Sequence, residues 1–359
     1  MHTDNLLRYK IGQMLIIGFE GNSLDEHSRI IKAIQTESIG GVILFDYHFQ
    51  TNQFNKNIHN PEQVKQLNHT LQHANTLAHQ HKQYPVLPLI ISVDYEGGNV
   101  NRLKPSFGFP DTVAAARIAE MEDAEILQTA STMANTLREL GFNLDFAPLI
   151  DVNINPHNPI IGKLDRSFSS DPKRVAHCAQ LFVDAFAAQR VQCAFKHFPG
   201  HGSSLDDSHL GFVDVTSTWQ EEELIPYQLL LSKPQWCQMI MTAHIINRTL
   251  DPSGLPATLS HRMLTKLLRE TLHYDGVIIT DDMQMKAISD HYSLEKAIPL
   301  AIAASADMFI IGNQLSDRPE DPKTLIDRIE SQVLDGIIPR DAIDHAFKRI
   351  VRFKHTVRS

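Results

Sequence analysis

Short apolar, β-branched runs alternate along this chain with loops and longer amphipathic segments. The runs cover residues 14–19, 41–45, 87–94, 144–152, 193–197, 239–244, 277–281 and 308–312. Continuous apolar runs of roughly four to eight residues suit parallel strands buried on both faces. The segments between them read as helices. Asn60 precedes Pro61 and Glu62, an N-cap followed by proline at the first helical position. Val64, Leu67, Leu71, Ala74 and Ala78 then make one apolar stripe. Residues 122–140 repeat the pattern and stop at Gly141, while Asp171-Pro172, Ser260 and Ser293 open three more helices. Eight strand–helix alternations predict an α/β protein built as a single (β/α)8 TIM-type barrel, one domain over residues 1–359, with two last helices at about 320–357 closing it. An open doubly wound sheet is the competitor. It would normally carry a glycine-rich phosphate fingerprint after its first strand, and Gly18-Phe19-Glu20-Gly21-Asn22 does not match one.

Composition narrows the function classes. The 359 residues include 33 Lys+Arg against 42 Asp+Glu, a net charge of −9, and 42% are hydrophobic, which describes a folded chain. The acidic balance argues against nucleic-acid or anionic-membrane partners. No stretch reaches the roughly 18 apolar residues of a membrane span. The N-terminus lacks the layout of a signal peptide, so the expected location is cytoplasmic, or periplasmic or secreted if a leader precedes it. Cys178, Cys193 and Cys237 form no disulfide pattern and are expected as buried free thiols.

In such a barrel catalytic residues sit at the C-terminal strand ends, and this chain concentrates its polar residues there: Asp94 and Glu96, Asp151, Lys196 and His197, His244, Asp281 and Asp282. The loop after the fifth run carries Asp207 and His209. Two residues apart in an extended stretch, they would project to the same side. A carboxylate beside an imidazole orients the ring and stabilises its cation, which makes a general acid/base pair. Metal ligation by His197, His201, Asp207, His209 and His244 is the rival explanation, although no H-x-H follows the first run. His69 and His73 have the i, i+4 spacing of helical zinc ligands but lie away from their helix's apolar stripe, as on a solvated face.

Lys196-His197-Phe198-Pro199-Gly200-His201-Gly202, followed by Asp207-Ser208-His209, resembles glycoside hydrolase family 3, and within it the bacterial β-N-acetylglucosaminidase branch. The similarity continues through Gly40-Gly41-Val42-Ile43-Leu44-Phe45, Asp94-Tyr95-Glu96-Gly97-Gly98, Arg166-Ser167-Phe168, Met241-Thr242-Ala243-His244 and Thr280-Asp281-Asp282-Met283. The resemblance implies Asp281 as nucleophile, His209 as acid/base and Asp207 as its partner. It implies Asp94, Arg102, Arg166, Lys196 and His197 as the residues that hold the N-acetylglucosamine. Asp281 rather than Asp282 fits a strand register in which successive side chains point opposite ways. The chain departs from the family pattern at the longer segment before Arg166, at Asn99 and in an insertion over residues 46–59.

The implied chemistry is a retaining two-step displacement on an amino-sugar oligosaccharide, with a covalent glycosyl-enzyme and no metal or other cofactor. A neutral imidazole base also repels an anionic acceptor less than a carboxylate would, so phosphate could compete with water. The alternatives are a β-glucosidase or an N-acetylglucosaminide phosphorylase on the same fold, a catalytically silent sugar-binding barrel, and a metal-dependent barrel hydrolase.

Overall fold

The structure, a computed structural model, describes residues 5–79, 84, 87–207, 211–232, 238–315 and 319–357. Each of the eight apolar runs contains a strand of one all-parallel sheet. The strands are β1 (Leu15–Gly18), β2 (Gly41–Ile43), β3 (Ile90–Val93), β4 (Leu144–Asp145), β5 in two pieces (Gln192–Cys193 and Phe195–Phe198), β6 (Met239–Thr242), β7 (Val277–Asp282) and β8 (Met308–Ile311). The first piece of β5 pairs with β4 and the second with β6. The sheet therefore passes through the break in β5 and closes where β1 pairs with β8, with Leu15 beside Phe309 and Ile17 beside Ile311.

Two runs are shorter as strands than their apolar length suggests. Pro148 has no N–H to donate, so the β4 ladder stops before it. The chain rejoins its neighbour only where Leu149 bridges Lys196. In β5 the amide of Ala194 turns toward the carbonyls of Asp145 and Ala147, splitting the strand. The Ala147–Pro148, Lys196–His197 and Phe198–Pro199 peptide bonds are cis.

The helix starts follow their caps. Asn60 accepts from the Gln63 amide at 2.9 Å and Asp171 from the Lys173 amide at 2.9 Å. Glu122 and Glu125 form a reciprocal capping box, and Gly141 ends that helix at φ +86°. Ser260 accepts from the Met263 amide at 3.0 Å. Ser293 holds an N-cap position, but its side chain makes no capping bond.

The helix Asn5–Gln13 is tied to the last two helices, Pro322–Leu334 and Arg340–Thr356. Arg8 reaches Asp327 at 2.6 Å and Glu330 at 2.7 Å, and Lys10 reaches Asp344 at 2.6 Å. The buried Lys354 ammonium donates to Gln13 Oε1 at 2.7 Å and to the Gly40 carbonyl at 2.6 Å. Burial pulls its pKa down to about 7. Cys178 is a buried free thiol and Cys193 is buried; Cys237 lies outside the described residues. Among the described residues no helix is long and apolar enough to cross a membrane.

Candidate active site

The C-terminal ends of β3 and β5 and the turn before Arg166 meet in one buried charge cluster. Glu96 is its centre. Its carboxylate takes Arg166 in a two-point contact, Nε at 2.7 Å and Nη2 at 2.8 Å, and Lys196 Nζ at 2.7 Å. Such forked pairs fix geometry as well as charge. Lys196 also reaches Asp94 Oδ1 at 3.1 Å, and Arg102 stands 3.7 Å from the other Asp94 oxygen. Burial alone would raise the Glu96 pKa, but the cations of Arg166 and Lys196 bring it down to about 2. Burial would likewise lower Lys196, yet Glu96 and Asp94 hold it above the usual lysine value. Arg166 is brought into the site by a short turn, Gly162–Leu164, and by Asp165 in the left-handed region at φ +55°. The longer segment before Arg166 thus still delivers the guanidinium, while Asn99 stays exposed and donates to the Leu164 carbonyl at 3.2 Å.

Beside this cluster is a pocket of about 100 Å3 whose walls include Asp94, Arg102, Phe146, Met241, Asp281 and Asp282. Both aspartates border it, contrary to the expected alternation; the β7–β8 register shifts between Ile279 and Asp282. Hydrogen bonding separates their roles. One Asp282 oxygen accepts the amides of Gln284 at 3.0 Å and Gly312 at 3.1 Å, so that side chain caps the turn after β7. The Asp282 carbonyl also lies 3.0 Å from His244 Nε2, whose other ring nitrogen meets Thr258 Oγ1 at 2.7 Å. Asp281 accepts the Asp282 amide at 2.8 Å.

The loop after β5 is organised from below. Asp151 takes the His197 ring at 2.7 Å and the His201 amide at 2.8 Å. Burial would raise this carboxyl, but the neighbouring His197 lowers it. His201 is pushed down to about 4 by burial and by His197, and its Nδ1 sits 2.6 Å from Ser204 Oγ. Gly202 crosses β4's extension so closely that an added Cβ would lie 1.6 Å from the Val152 carbonyl oxygen. Its amide donates to the fully buried Glu223 at 2.8 Å. Sequence reasoning assigned no role to Glu96, Asp151 or Glu223. The strand-end motifs flagged the first two as polar, but only the fold reveals what they hold.

Burial raises Glu223 to about 7. A carboxyl raised in the folded state stabilises it most at low pH, and that contribution is lost as pH rises from about 4.5 through about 7. The loss amounts to about 3 kcal/mol at roughly 1.36 kcal/mol per unit. Glu223→Gln keeps a neutral acceptor for Gly202. It should match the wild type in urea unfolding at pH 5 and exceed it at pH 8. Equal stability of the two proteins at pH 8 would show that the fold does not raise the Glu223 carboxyl.

Asp207 is half-buried at the start of the candidate acid/base loop. His209 lies outside the described residues, so its pairing with Asp207 does too. Of the rival metal donors, the rings of His197, His201 and His244 all have protein partners. Among the described residues no three His, Cys, Asp or Glu side chains are grouped to hold a metal ion. His69 and His73 are exposed, with their rings stacked at 6.3 Å.

The family model "Glycosyl hydrolase family 3 N terminal domain" matches residues 6–353. A beta-hexosaminidase of Alkalilimnicola ehrlichii is 31% identical over 358 residues, spanning 96% of this chain and 94% of that protein. Beta-hexosaminidase A of Pseudoalteromonas piscicida is 33% identical over 342 residues, covering 89% of this chain, which spans only 54% of that longer protein. The structure of a glycoside hydrolase family 3 beta-N-acetylglucosaminidase from Paenibacillus superposes with a TM-score of 0.85 at 32% identity, covering 98% of this chain and 62% of that one.

Proposed function

We propose, on the premise that this chain belongs to glycoside hydrolase family 3, that it is a retaining β-N-acetylhexosaminidase. It releases non-reducing terminal β-linked N-acetylglucosamine from cell-wall muropeptide or chitin fragments. The observation that carries this reading is the Asp94–Lys196–Glu96–Arg166 cluster set against the pocket that Asp281 and Arg102 share. Asp94 and the two cations offer directed acceptors and donors for sugar hydroxyls and the acetamido group. Asp281 at the pocket wall can attack the anomeric carbon and form a covalent glycosyl-enzyme, releasing the leaving oxygen as it takes the His209 proton. His209 then takes a proton from the incoming water, whose oxygen displaces Asp281. The names of the beta-hexosaminidase relatives support the same substrate class.

The test compares p-nitrophenyl N-acetyl-β-glucosaminide with the β-glucoside, with and without EDTA and phosphate. A site of fixed polar partners rejects an analogue lacking one of them, so kcat/KM should favour the acetamido sugar by about 100-fold or more, with no effect of EDTA. Similar values on both sugars would sink the reading, and full loss on chelation would favour a metal-dependent hydrolase. Appearance of a sugar phosphate in place of free sugar would mark a phosphorylase.

His209→Ala and Asp207→Ala should each cost about 100-fold on substrates with poor leaving groups and far less on activated aryl glycosides, which need no protonation. The double variant should be little worse than His209→Ala, as for residues acting as one unit. Additive losses, equal on good and poor leaving groups, would place the proton donor elsewhere, with His244 the next candidate.

A further inference from the structure

The insertion after β2 places an aromatic face on the rim of the Asp281 pocket. Tyr47–His48 pairs antiparallel with Gln53–Phe54. The base of this hairpin is firmly held. The Phe45 amide donates to Asn57 Oδ1 at 3.0 Å, and Asn57 Nδ2 donates to the carbonyls of Phe19 and Gly21, each at 3.0 Å. The fully buried Lys56 ammonium reaches the Asn313 carbonyl and a Glu20 oxygen, both at 2.8 Å. The side closer to the pocket is tied to the loop after β8. Gln50 Nε2 donates to the Gln314 carbonyl at 2.8 Å, and Gln314 Nε2 donates to the Tyr47 carbonyl at 3.0 Å.

On this frame the Tyr47 ring meets Phe49 edge-on at 5.4 Å and Phe54 at 5.0 Å, and Phe54 meets Phe107 at 5.4 Å. Phe49 is 51% exposed and Phe54 47%. These are two large apolar rings held in place by polar anchors yet left open to water. Phe49 and the exposed Leu315 line the same pocket as Asp94, Arg102 and Asp281. An anchored apolar face continuous with a polar pocket marks a ligand surface rather than core. The chemistry of the face says which ligand. The electron-rich faces of aromatic rings attract the weakly positive C–H edges of a pyranose. Among the described residues, three cations near the hairpin stand close to carboxylates: Arg102 lies 3.6 Å from Asp46, Lys104 lies 3.5 Å from Asp46, and Lys56 pairs with Glu20.

We propose that this hairpin seats the leaving-group side of the substrate, and that its occupant is an uncharged β-linked N-acetylglucosamine unit of a chitin-type oligomer rather than a sugar bearing carboxylates. The proposal rests on the hexosaminidase reading above. An enzyme that removes a terminal sugar places that sugar beside its nucleophile, and the next ring must then leave across the rim.

The experiment measures kcat/KM on three compounds. They are N-acetyl-β-glucosaminyl azide, whose leaving group is too small to reach the hairpin, the chitin trimer, and N-acetylglucosaminyl-1,6-anhydro-N-acetylmuramic acid. In Phe49→Ala and Phe54→Ala the ratio of trimer to azide should fall about tenfold, the size expected for losing one or two stacked rings. Phe49→Trp should restore the ratio to within about threefold of the wild type. The wild type should prefer the neutral trimer to the anionic disaccharide. An unchanged ratio in both alanine variants, or a wild-type preference for the anionic disaccharide, overturns the platform while leaving the hexosaminidase reading intact. A wild type that turns over neither azide nor trimer overturns that reading and the platform with it.

Discussion

Asp281→Ala is expected to lose about 10000-fold or more in turnover, the scale on which removal of an attacking group acts. A fluorinated slow substrate should accumulate as a covalent adduct on Asp281, located by mass spectrometry of the peptide. The prediction has a built-in rival, because Asp282 borders the same pocket. The two are told apart by what each already holds. Asp282 is spent on the amides of Gln284 and Gly312, and a carboxylate stabilised by two amides is a poorer nucleophile. Asp282→Ala should instead cost folding stability, about 1–3 kcal/mol for leaving the buried amides unsatisfied, with labelling still on Asp281. An adduct on Asp282 would overturn the assignment.

Glu96→Ala is expected to destabilise the fold by about 3–5 kcal/mol, since it leaves Arg166 and Lys196 buried without their shared carboxylate. The pH dependence follows from the sign of the shift. Glu96 titrates at about 2 in the folded protein, below the ordinary 4.5. Its stabilisation is therefore fully present above about 4.5 and lost as pH falls toward 2. Urea unfolding of wild type and variant should differ most at neutral pH, and the gap should close progressively below pH 4.5. Activity should fall as well, because the two cations would lose their aim. A variant as stable as the wild type at pH 7 would show that the cluster does not hold the strand ends together.

Much of the fold was legible because parallel strands buried on both faces leave a plain signature, an unbroken apolar run closed by polar residues. The runs ending at Phe45 and Asp281 show it clearly. The signature fails where a strand is interrupted from outside itself. Nothing in the run through Cys193 and Phe195 announces that Ala194 turns its amide toward Asp145 and Ala147. The site was half legible for a related reason. Asp94, Lys196, His197 and Asp281 stand at strand ends, where position alone suggests a role. Glu96 stands there too, but its part is to hold two cations that arrive from 70 and 100 residues further along. Such a hub is a fact about three segments and not about any one of them. Glu223 is the extreme case. It sits in an acidic stretch that reads as solvated surface, yet its side chain is buried beneath the loop at Gly202.

The closure of the barrel between β1 and β8 has a consequence for how the protein comes into being. The two strands that meet at the seam are separated by roughly 300 residues of chain. A ribosome adding about 5–20 residues per second takes from about 15 seconds to a minute to deliver the second after the first. Throughout that interval the nascent β1 can pair with β2 but has a bare edge on its other side, and bare apolar edges invite other chains. Arg8 and Lys10, waiting on the first helix, likewise meet Asp327, Glu330 and Asp344 only after more than 300 further residues have been made. The helices Pro322–Leu334 and Arg340–Thr356 are thus the latch for the first, and are made long after it. Until β8 and the two helices that follow it arrive, the chain is an open sheet with an apolar edge that other chains can reach.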